Sequence, residues 1–270
     1  IIYYKYYIMD TITSFQNQIF KDIKKIIADK KYRLEKKVFW ADGASFVYQA
    51  IKYGWNIEKL IYTTSQNDTE FKKSLINSIP LEKRVEFSID LYSPLSTKDN
   101  IQGIGALIKQ LYYTNQLTPG LGVVVENISN PGNLGTIMRA CSAFNILNLY
   151  IINPAVDPFN IETVRSSMSS IFSLNITIFD NIEIMEDELN KHGNYKNIGT
   201  SLQNSSDLKK YKHKFKKEDN TLIWFGNEAK GMSDKAKNIC DDLLRIEINP
   251  NIDSLNISVS AGIFLYELVG

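Results

Sequence analysis

Three stretches of the chain set polar side chains beside glycines in patterns that could support chemistry. The first is ENISNPGNLGTIMR, residues 126–139. Asn133 stands where a helical pattern begins, so its side chain is a candidate cap for free backbone amides. Arg139 follows on the same pattern, and helical side chains lean toward the N-terminus, which lets its guanidinium reach back to the loop. A glycine-bearing loop, a capping amide and a fixed cation suit an anionic or phosphate-bearing ligand. The same residues also make a Pro-Gly turn with an Asn cap and a surface arginine, and this segment alone does not choose. The second stretch, IWFGNEAKGMS (223–233), places Glu228 between Gly226 and Gly231 at the end of an apolar run. That offers either a carboxylate at a strand's C-terminal end or a tight turn with a solvated glutamate. In the third, RIEINPNIDSLNISVSAG (245–262), Ser254 reads as an N-cap and Asn256 presents an amide in the first turn of an apolar helix.

The elements around these stretches alternate. Residues 14–30 have apolar side chains at helical spacing, with Ser14 as the expected cap. Short strands at 38–42, 57–63 and 84–88 alternate with helices at 44–53 and 68–79, and QGIGALIK (102–109) closes the set as a strand. Its Gly103-x-Gly105 lacks the third glycine of a dinucleotide fingerprint and is read as backbone packing. LYYTNQLTPG (111–120) ends in a Pro-Gly breaker and reads as a linker. Beyond it, strands are predicted at 121–126, 147–152, 174–179, 196–200, 221–226 and 243–248. Helices are predicted at 134–144, 161–169, 182–191, 233–241 and 255–269. Continuous apolar strands in β-α alternation imply a mostly parallel sheet covered on both faces, with ligands bound beyond the carboxyl ends of its strands. The predicted division is an N-terminal extension and helix (1–31), a small α/β domain (32–110), a linker (111–119) and a larger α/β domain (120–270).

Composition narrows the function classes. In 270 residues there are 31 Lys/Arg against 30 Asp/Glu, with 44% apolar residues. Disorder and collagen-like repeats are excluded. Cys141 and Cys240 make no disulfide framework, and with only His192 and His213 besides, no metal site is expected. No apolar run approaches the ~18 residues of a membrane span. Residues 1–8 (IIYYKYYI) lack a signal-peptide cleavage site, and Met9 is a candidate initiator. A cytoplasmic location is the default. The net charge of +1 first argues against a nucleic-acid partner. It is an average, however: residues 1–119 carry 17 basic and 12 acidic side chains, residues 120–270 carry 14 and 18. The N-terminal excess lies in KDIKKIIADKKYRLEKK (21–37), and a second cluster, KKYKHKFKK (209–217), holds six lysines. A solvated face is the plainer reading of either cluster; lysine contacts to phosphate beside stacking aromatics are the alternative.

Taken together and in this order, the three stretches resemble the three motifs of the SpoU/TrmH family of RNA ribose 2′-O-methyltransferases, within the knotted SPOUT superfamily. The family's N-x-G-N-x-G with a later Arg is matched by Asn130, Gly132, Asn133, Gly135 and Arg139. Its G-x-E-x-x-G loop is matched by Gly226, Glu228 and Gly231, and its S-L-N-V-S by Ser254-Leu255-Asn256-Ile257-Ser258. VDPFNIETVRSSMSSIF (156–172) is similar to a family subgroup, with Arg165 at the basic position, and the resemblance runs from about residue 12 to the end. Two places depart from the pattern: Ile246-Glu247-Ile248-Asn249-Pro250 stands for the usual I-P-M start, and Ala41-Asp42-Gly43 for V-E-G.

The resemblance implies a C-terminal, mostly parallel sheet with helices on both faces and a deep trefoil knot, preceded by a smaller α/β substrate-binding domain. It implies S-adenosylmethionine as cofactor, held by backbone around Gly226, Ile246 and Leu255. It further implies a reaction site of Asn133, Arg139, Glu228, Ser254 and Asn256, with no metal. Arg139 would bind the target phosphate and orient the hydroxyl, or serve as the base. RNA, most of all ribosomal RNA, would be gripped by Lys30, Lys31, Arg33, Lys36, Lys37 and Arg165, and the protein would be a homodimer. The alternatives are a transfer RNA methyltransferase and an inactive knotted RNA-binding module. A dinucleotide-dependent oxidoreductase lacks the full glycine fingerprint and the acidic ribose-binding residue.

Overall fold

A computed structural model describes residues 11–65, 68–96, 100–215 and 220–270, apart from the side chain of Lys214. Residues 1–8 and Met9 lie outside these, as do Lys216 and Lys217. The chain divides into two units, the first running to Gln110 and the second from Leu111 to Gly270.

The first unit opens with α1 (Gln18–Ala28), which buries Phe20, Ile23 and Ile26. Its cap is Asn17 rather than Ser14: Asn17 Oδ1 accepts from the amides of Ile19 and Phe20 at 2.9 and 3.4 Å. The helical pattern read across 14–30 breaks at Asp29, which caps α2 (Lys30–Lys36) through the Tyr32 amide. Then follow β1 (Val38–Asp42), α3 (Ala44–Lys52), β2 (Ile57–Tyr62), α4 (Glu70–Ser78), β3 (Arg84–Glu86), α5 (Ile89–Tyr92) and β4 (Ile104–Lys109). Among the described residues the strands form one sheet in the order β1-β4-β2-β3, parallel only between β2 and β3. α1 packs against α2 and β1, so it is integral to this unit and not an appended extension. Gly105 serves packing: a Cβ there would sit 2.6 Å from the Trp40 ring, a buried side chain of β1.

The second unit contains β5 (Tyr113–Thr114), β6 (Gly122–Glu126), α6 (Pro131–Ala143), β7 (Asn148–Ile152), α7 (Ile161–Ser166), β8 (Asn175–Phe179), α8 (Ile182–His192) and β9 (Lys196–Thr200). It continues through β10 (Ser206–Asp207), α9 (Leu208–Tyr211), β11 (Thr221–Phe225), α10 (Asp234–Ile239), β12 (Asp242–Arg245) and α11 (Ile257–Val269). The described strands form one parallel sheet in the order β10-β12-β9-β11-β6-β7-β8-β5. β6, β7 and β11 are buried along their whole length, as their unbroken apolar sequences require of central parallel strands. The stretch read as a linker is stitched to this unit. Tyr113 and Thr114 pair with β8, Leu117 is buried, and the Tyr150 hydroxyl accepts from the Thr118 amide and donates to the Thr118 carbonyl at 3.1 and 3.0 Å.

Strand order reverses between β6 and β11: the chain leaves β6 toward β7 and β8 on one side and fills β9, β11 and β12 on the other. At such a switch point the loops beyond the strand ends diverge and leave a crevice. All three polar stretches lie at this end of the sheet.

Candidate active site

The first loop leaves β6 through Asn127, whose left-handed φ of 54° turns the chain sharply at the strand end. α6 then begins with Pro131 at its first position and Asn130 as its cap, Asn130 Oδ1 accepting from the Asn133 amide at 3.0 Å. Asn133 is therefore not the cap. It sits in the first turn, where its side chain is free to reach other loops.

The second loop doubles back on itself. Asn227 and Gly231 exchange backbone hydrogen bonds at 2.9 Å each. Gly226 makes this return possible, since a Cβ there would lie 2.1 Å from the backbone of Gly231 and Met232. Asn227 Nδ2 donates to the Asn127 carbonyl at 2.9 Å, fastening the second loop to the first.

Glu228 completes the fastening. Its Oε2 accepts from the Ser129 hydroxyl at 2.7 Å and the Ser129 amide at 3.2 Å; Oε1 accepts from the Asn130 amide at 3.0 Å and from Asn133 Nδ2 at 3.2 Å. Partial burial would raise this carboxyl's pKa. The donors, led by the Ser129 hydroxyl, outweigh that and hold it below the usual carboxylate value. The start of α6, expected to hold an external anion, thus already faces the protein's own carboxylate.

The third loop joins through Asn256, which caps α11 by accepting from the amides of Ser258 and Val259 at 2.9 and 3.4 Å. Its Nδ2 donates to Asn133 Oδ1 at 3.0 Å. Every amide orientation in this chain is forced. Glu228 as an anion only accepts and the α11 amides only donate, so Asn133 must point its NH2 to Glu228 and its oxygen to Asn256. Ser254, the expected cap, is instead exposed in the loop ahead of the helix.

A cavity of about 450 Å³ opens beside these loops, beyond the ends of β9, β11 and β12. Gly226, Ile246, Leu255 and Ser254 all line it, as does Glu228, with the apolar Leu244 and Phe264 and the hydroxyl of Thr200. Arg139 lies on α6, exposed and without a hydrogen-bond or ion-pair partner among the described residues. Arg165 is likewise exposed at the end of α7. Among the described residues no group of three or more His, Cys, Asp or Glu could hold a metal ion.

In the first unit, Lys30, Lys31, Lys36 and Lys37 are exposed around Tyr32, whose ring lies 5.4 Å under the Lys36 ammonium and 4.1 Å from that of Lys25. Arg33 departs from the expected RNA-binding group. It is 3% exposed, and its guanidinium donates to the carbonyls of Ile26 and Ile27 at 2.7 and 3.0 Å. It closes the C-terminal end of α1, where carbonyls lack helical partners.

The sequence reading missed Ser129, Asn227 and Glu126. Ser129 and Asn227 bind the loops together; Glu126 is 3% exposed and its Oε2 accepts from the Ser233 amide at 2.9 Å, at the start of α10. The available signal was a carboxylate ending an otherwise apolar strand, Gly122–Glu126.

Each unit resembles known proteins. Residues 120–266 match the SpoU rRNA Methylase family, and residues 17–106 match the MRM3-like substrate binding domain. The chain is 28% identical to the 23S rRNA (guanosine(2553)-2′-O)-methyltransferase RlmP of Bacillus subtilis, over 97% of this chain and 100% of that one. It is 24% identical to the 23S rRNA (uridine(2479)-2′-O)-methyltransferase of Streptomyces viridochromogenes, over 96% and 91%. Among solved structures, an AdoMet-bound rRNA methyltransferase from Sinorhizobium meliloti superposes with a TM-score of 0.83 at 27% identity, over 96% of this chain and 97% of that one. With more than half its length matched by the family model, the chain belongs to the SpoU rRNA methylase family.

Proposed function

We propose that this protein methylates the 2′-hydroxyl of a ribose in ribosomal RNA, with S-adenosylmethionine as the donor. The observation that carries the reading is the Glu228–Asn133–Asn256 chain, which ties the first loop to the second and third, the two loops whose residues line the cavity. The relatives named for 23S rRNA 2′-O-methylation support the reaction and the substrate class.

The cavity fits the cofactor. Its volume lies within the usual range for small-molecule sites, and its lining combines apolar Leu244 and Phe264 with polar Thr200, Ser201 and Ser254, as an adenosine with an amino-acid tail requires. S-Adenosylmethionine supplies an electrophilic methyl on a sulfonium. Backbone around Gly226, Ile246 and Leu255 holds the adenosine, and the second and third loops belong to a trefoil knot. Glu228, Asn133 and Asn256 fix the loops so that the reacting hydroxyl meets a preorganised site. The Ser254 hydroxyl lies at the cavity wall, available to the ribose or the cofactor tail. Arg139 binds the target phosphate and orients the hydroxyl. A guanidinium stays protonated, so the hydroxyl proton leaves to the phosphate or to water.

Lys30, Lys31, Lys36, Lys37 and Arg165 contact RNA phosphates. A second copy of the chain covers α11, which leaves the large side chains of Val259 and Tyr266 exposed. No helix among the described residues is long and apolar enough to cross a membrane, and a ribosomal RNA substrate fits a cytoplasmic enzyme.

The test is to incubate total RNA with the protein and S-adenosylmethionine, then map gaps in an alkaline hydrolysis ladder. A 2′-O-methyl blocks cleavage at one bond, so a gap in large ribosomal RNA is expected. A gap in transfer RNA instead would overturn the substrate; a protein that binds cofactor and RNA but leaves no gap would overturn the reaction.

A further inference from the structure

The lysine cluster at 209–217 has no role in the site above, yet the fold carries its described part to the same end of the second unit's sheet. β10 runs parallel to β12 with Ser206 opposite Leu244 and Asp207 opposite Arg245. Both strands therefore finish at one level. The next residue of β12's chain, Ile246, lines the cavity, and the next of β10's, Leu208, starts α9. Arg245 reinforces the junction, donating to the Ser205 carbonyl and pairing with Glu247 at 2.7 Å. Glu247 is one of the residues that depart from the family's usual third motif.

α9 is amphipathic at short range. Leu208 and Tyr211 are buried, and the Tyr211 hydroxyl donates to Asp242 Oδ2 at 2.7 Å. Lys209, Lys210, Lys212 and His213 are all exposed. Elsewhere in this unit, Lys191 pairs with Glu188, Lys196 with Asp242, Lys235 with Glu183 and Glu186, and Lys237 with Asp234, while Lys230, exposed at the second loop, has no ion-pair partner among the described residues. Lys209 and Lys210 have none among the described residues, and Lys212 only approaches Glu267 at 3.8 Å. Residues 208–217 contain no acidic side chain, though Asp207 precedes them and Glu218 and Asp219 follow. The stretch also contains six of the 14 basic residues in 120–270, where acids outnumber bases by four.

We infer that Lys209, Lys210 and Lys212 form a phosphate-gripping edge on the methyltransferase unit, which holds the RNA backbone near the mouth of the cofactor cavity. This rests on the ribosomal RNA reading above. Its chemistry is ionic, so it contributes salt-dependent affinity and no base recognition.

The experiment measures binding of a 23S rRNA transcript by the full-length protein across a salt series. It compares Lys209→Ala/Lys210→Ala with a control of equal charge change away from the cavity, Lys191→Ala/Lys235→Ala. The expected result is a roughly 10-fold loss of affinity at low salt and a slope of log affinity on log salt smaller by about 1.5, for the first pair only. Cofactor affinity by calorimetry and thermal midpoint should match the parent. Equal RNA affinity and slope in both pairs would overturn the inference while leaving the methyltransferase reading intact. A changed oligomeric state with unchanged RNA affinity would assign the edge to a protein contact and also overturn it. If the parent neither binds nor modifies RNA, both readings fall.

Discussion

Asn256 and Asn133 stand far apart in the sequence and are joined by one hydrogen bond of 3.0 Å, from Asn256 Nδ2 to Asn133 Oδ1. Through it the cap of α11 senses the first turn of α6, and through Glu228 both sense the second loop. A change at Asn133 breaks both links, and a change at Glu228 or Asn256 leaves Asn133 with one of its two partners.

Asn256→Ala removes both a helix cap and this bond. Loss of the cap should destabilise by about 1 kcal/mol. In a double-mutant cycle with Asn133→Ala, the coupling should reach about 1 kcal/mol, measured by denaturant unfolding. Additivity within experimental error would show that the bond contributes nothing in solution.

Arg139→Ala should leave the thermal midpoint and cofactor affinity unchanged, because the side chain is exposed and has no described partner to lose. Methyl transfer to RNA should fall by at least ~100-fold, the scale of losing one group that orients the reactants. Full turnover in this variant would remove Arg139 from the reaction site.

Gly226→Ala should cost more than any surface change in the same loop. Its Cβ would press on the backbone of Gly231 and Met232, which cannot yield as a flexible side-chain tip would. The expected outcome is loss of cofactor binding in calorimetry, with the Asn227–Gly231 turn opened. Gly231→Ala, at a φ of 70° with open space around it, should be milder.

Glu228 sets a pH dependence with a definite sign. Its folded-state pKa lies below the ordinary value, so the loop contacts stabilise above that value and weaken as pH falls through the lower folded pKa. Unfolding measured from neutral pH into the acid range should show this stability loss for the parent. Glu228→Gln should be less stable at neutral pH and should lose less on acidification. Parallel acid profiles for the two proteins would contradict the assignment.

Arg33→Ala should lower the stability of the first unit by about 2 kcal/mol, since it strands two carbonyls at the end of α1. Lys30, Lys31, Lys36 and Lys37 replaced by Ala should leave stability unchanged and weaken RNA binding. Equal effects of the two sets on RNA affinity, with equal stability, would return Arg33 to the surface group.

The central strands were legible because a parallel strand buried on both faces needs an unbroken apolar run, as GVVVE and TLIWF show. The three polar stretches were legible as a group for the same reason: each follows or leads such an element. The caps were not. NPNIDSLNIS holds several residues able to cap, and Asn256 wins over Ser254 in a structure where its Nδ2 also meets Asn133 from a distant segment. Arg33 was hidden in KKYRLEKK, where five of the other seven residues are charged and burial is decided by the end of α1. The two-residue strands β5 and β10 carry no periodicity at all, and their pairing comes from tertiary contact.

The order of strands also bears on how the chain is made. β6 and β9 flank β11, so the centre of the large sheet has a vacant slot until residues 221–225 arrive. The first unit has all its strands by Lys109 and is able to fold early during synthesis. The second unit must wait with β6 unpaired on one edge and β9, which also lacks β12, unpaired on both, a state prone to wrong pairing. Truncations ending before Thr221 should therefore yield a soluble first unit joined to an aggregating remainder. Refolding of the full chain should be paced by insertion of that one late strand.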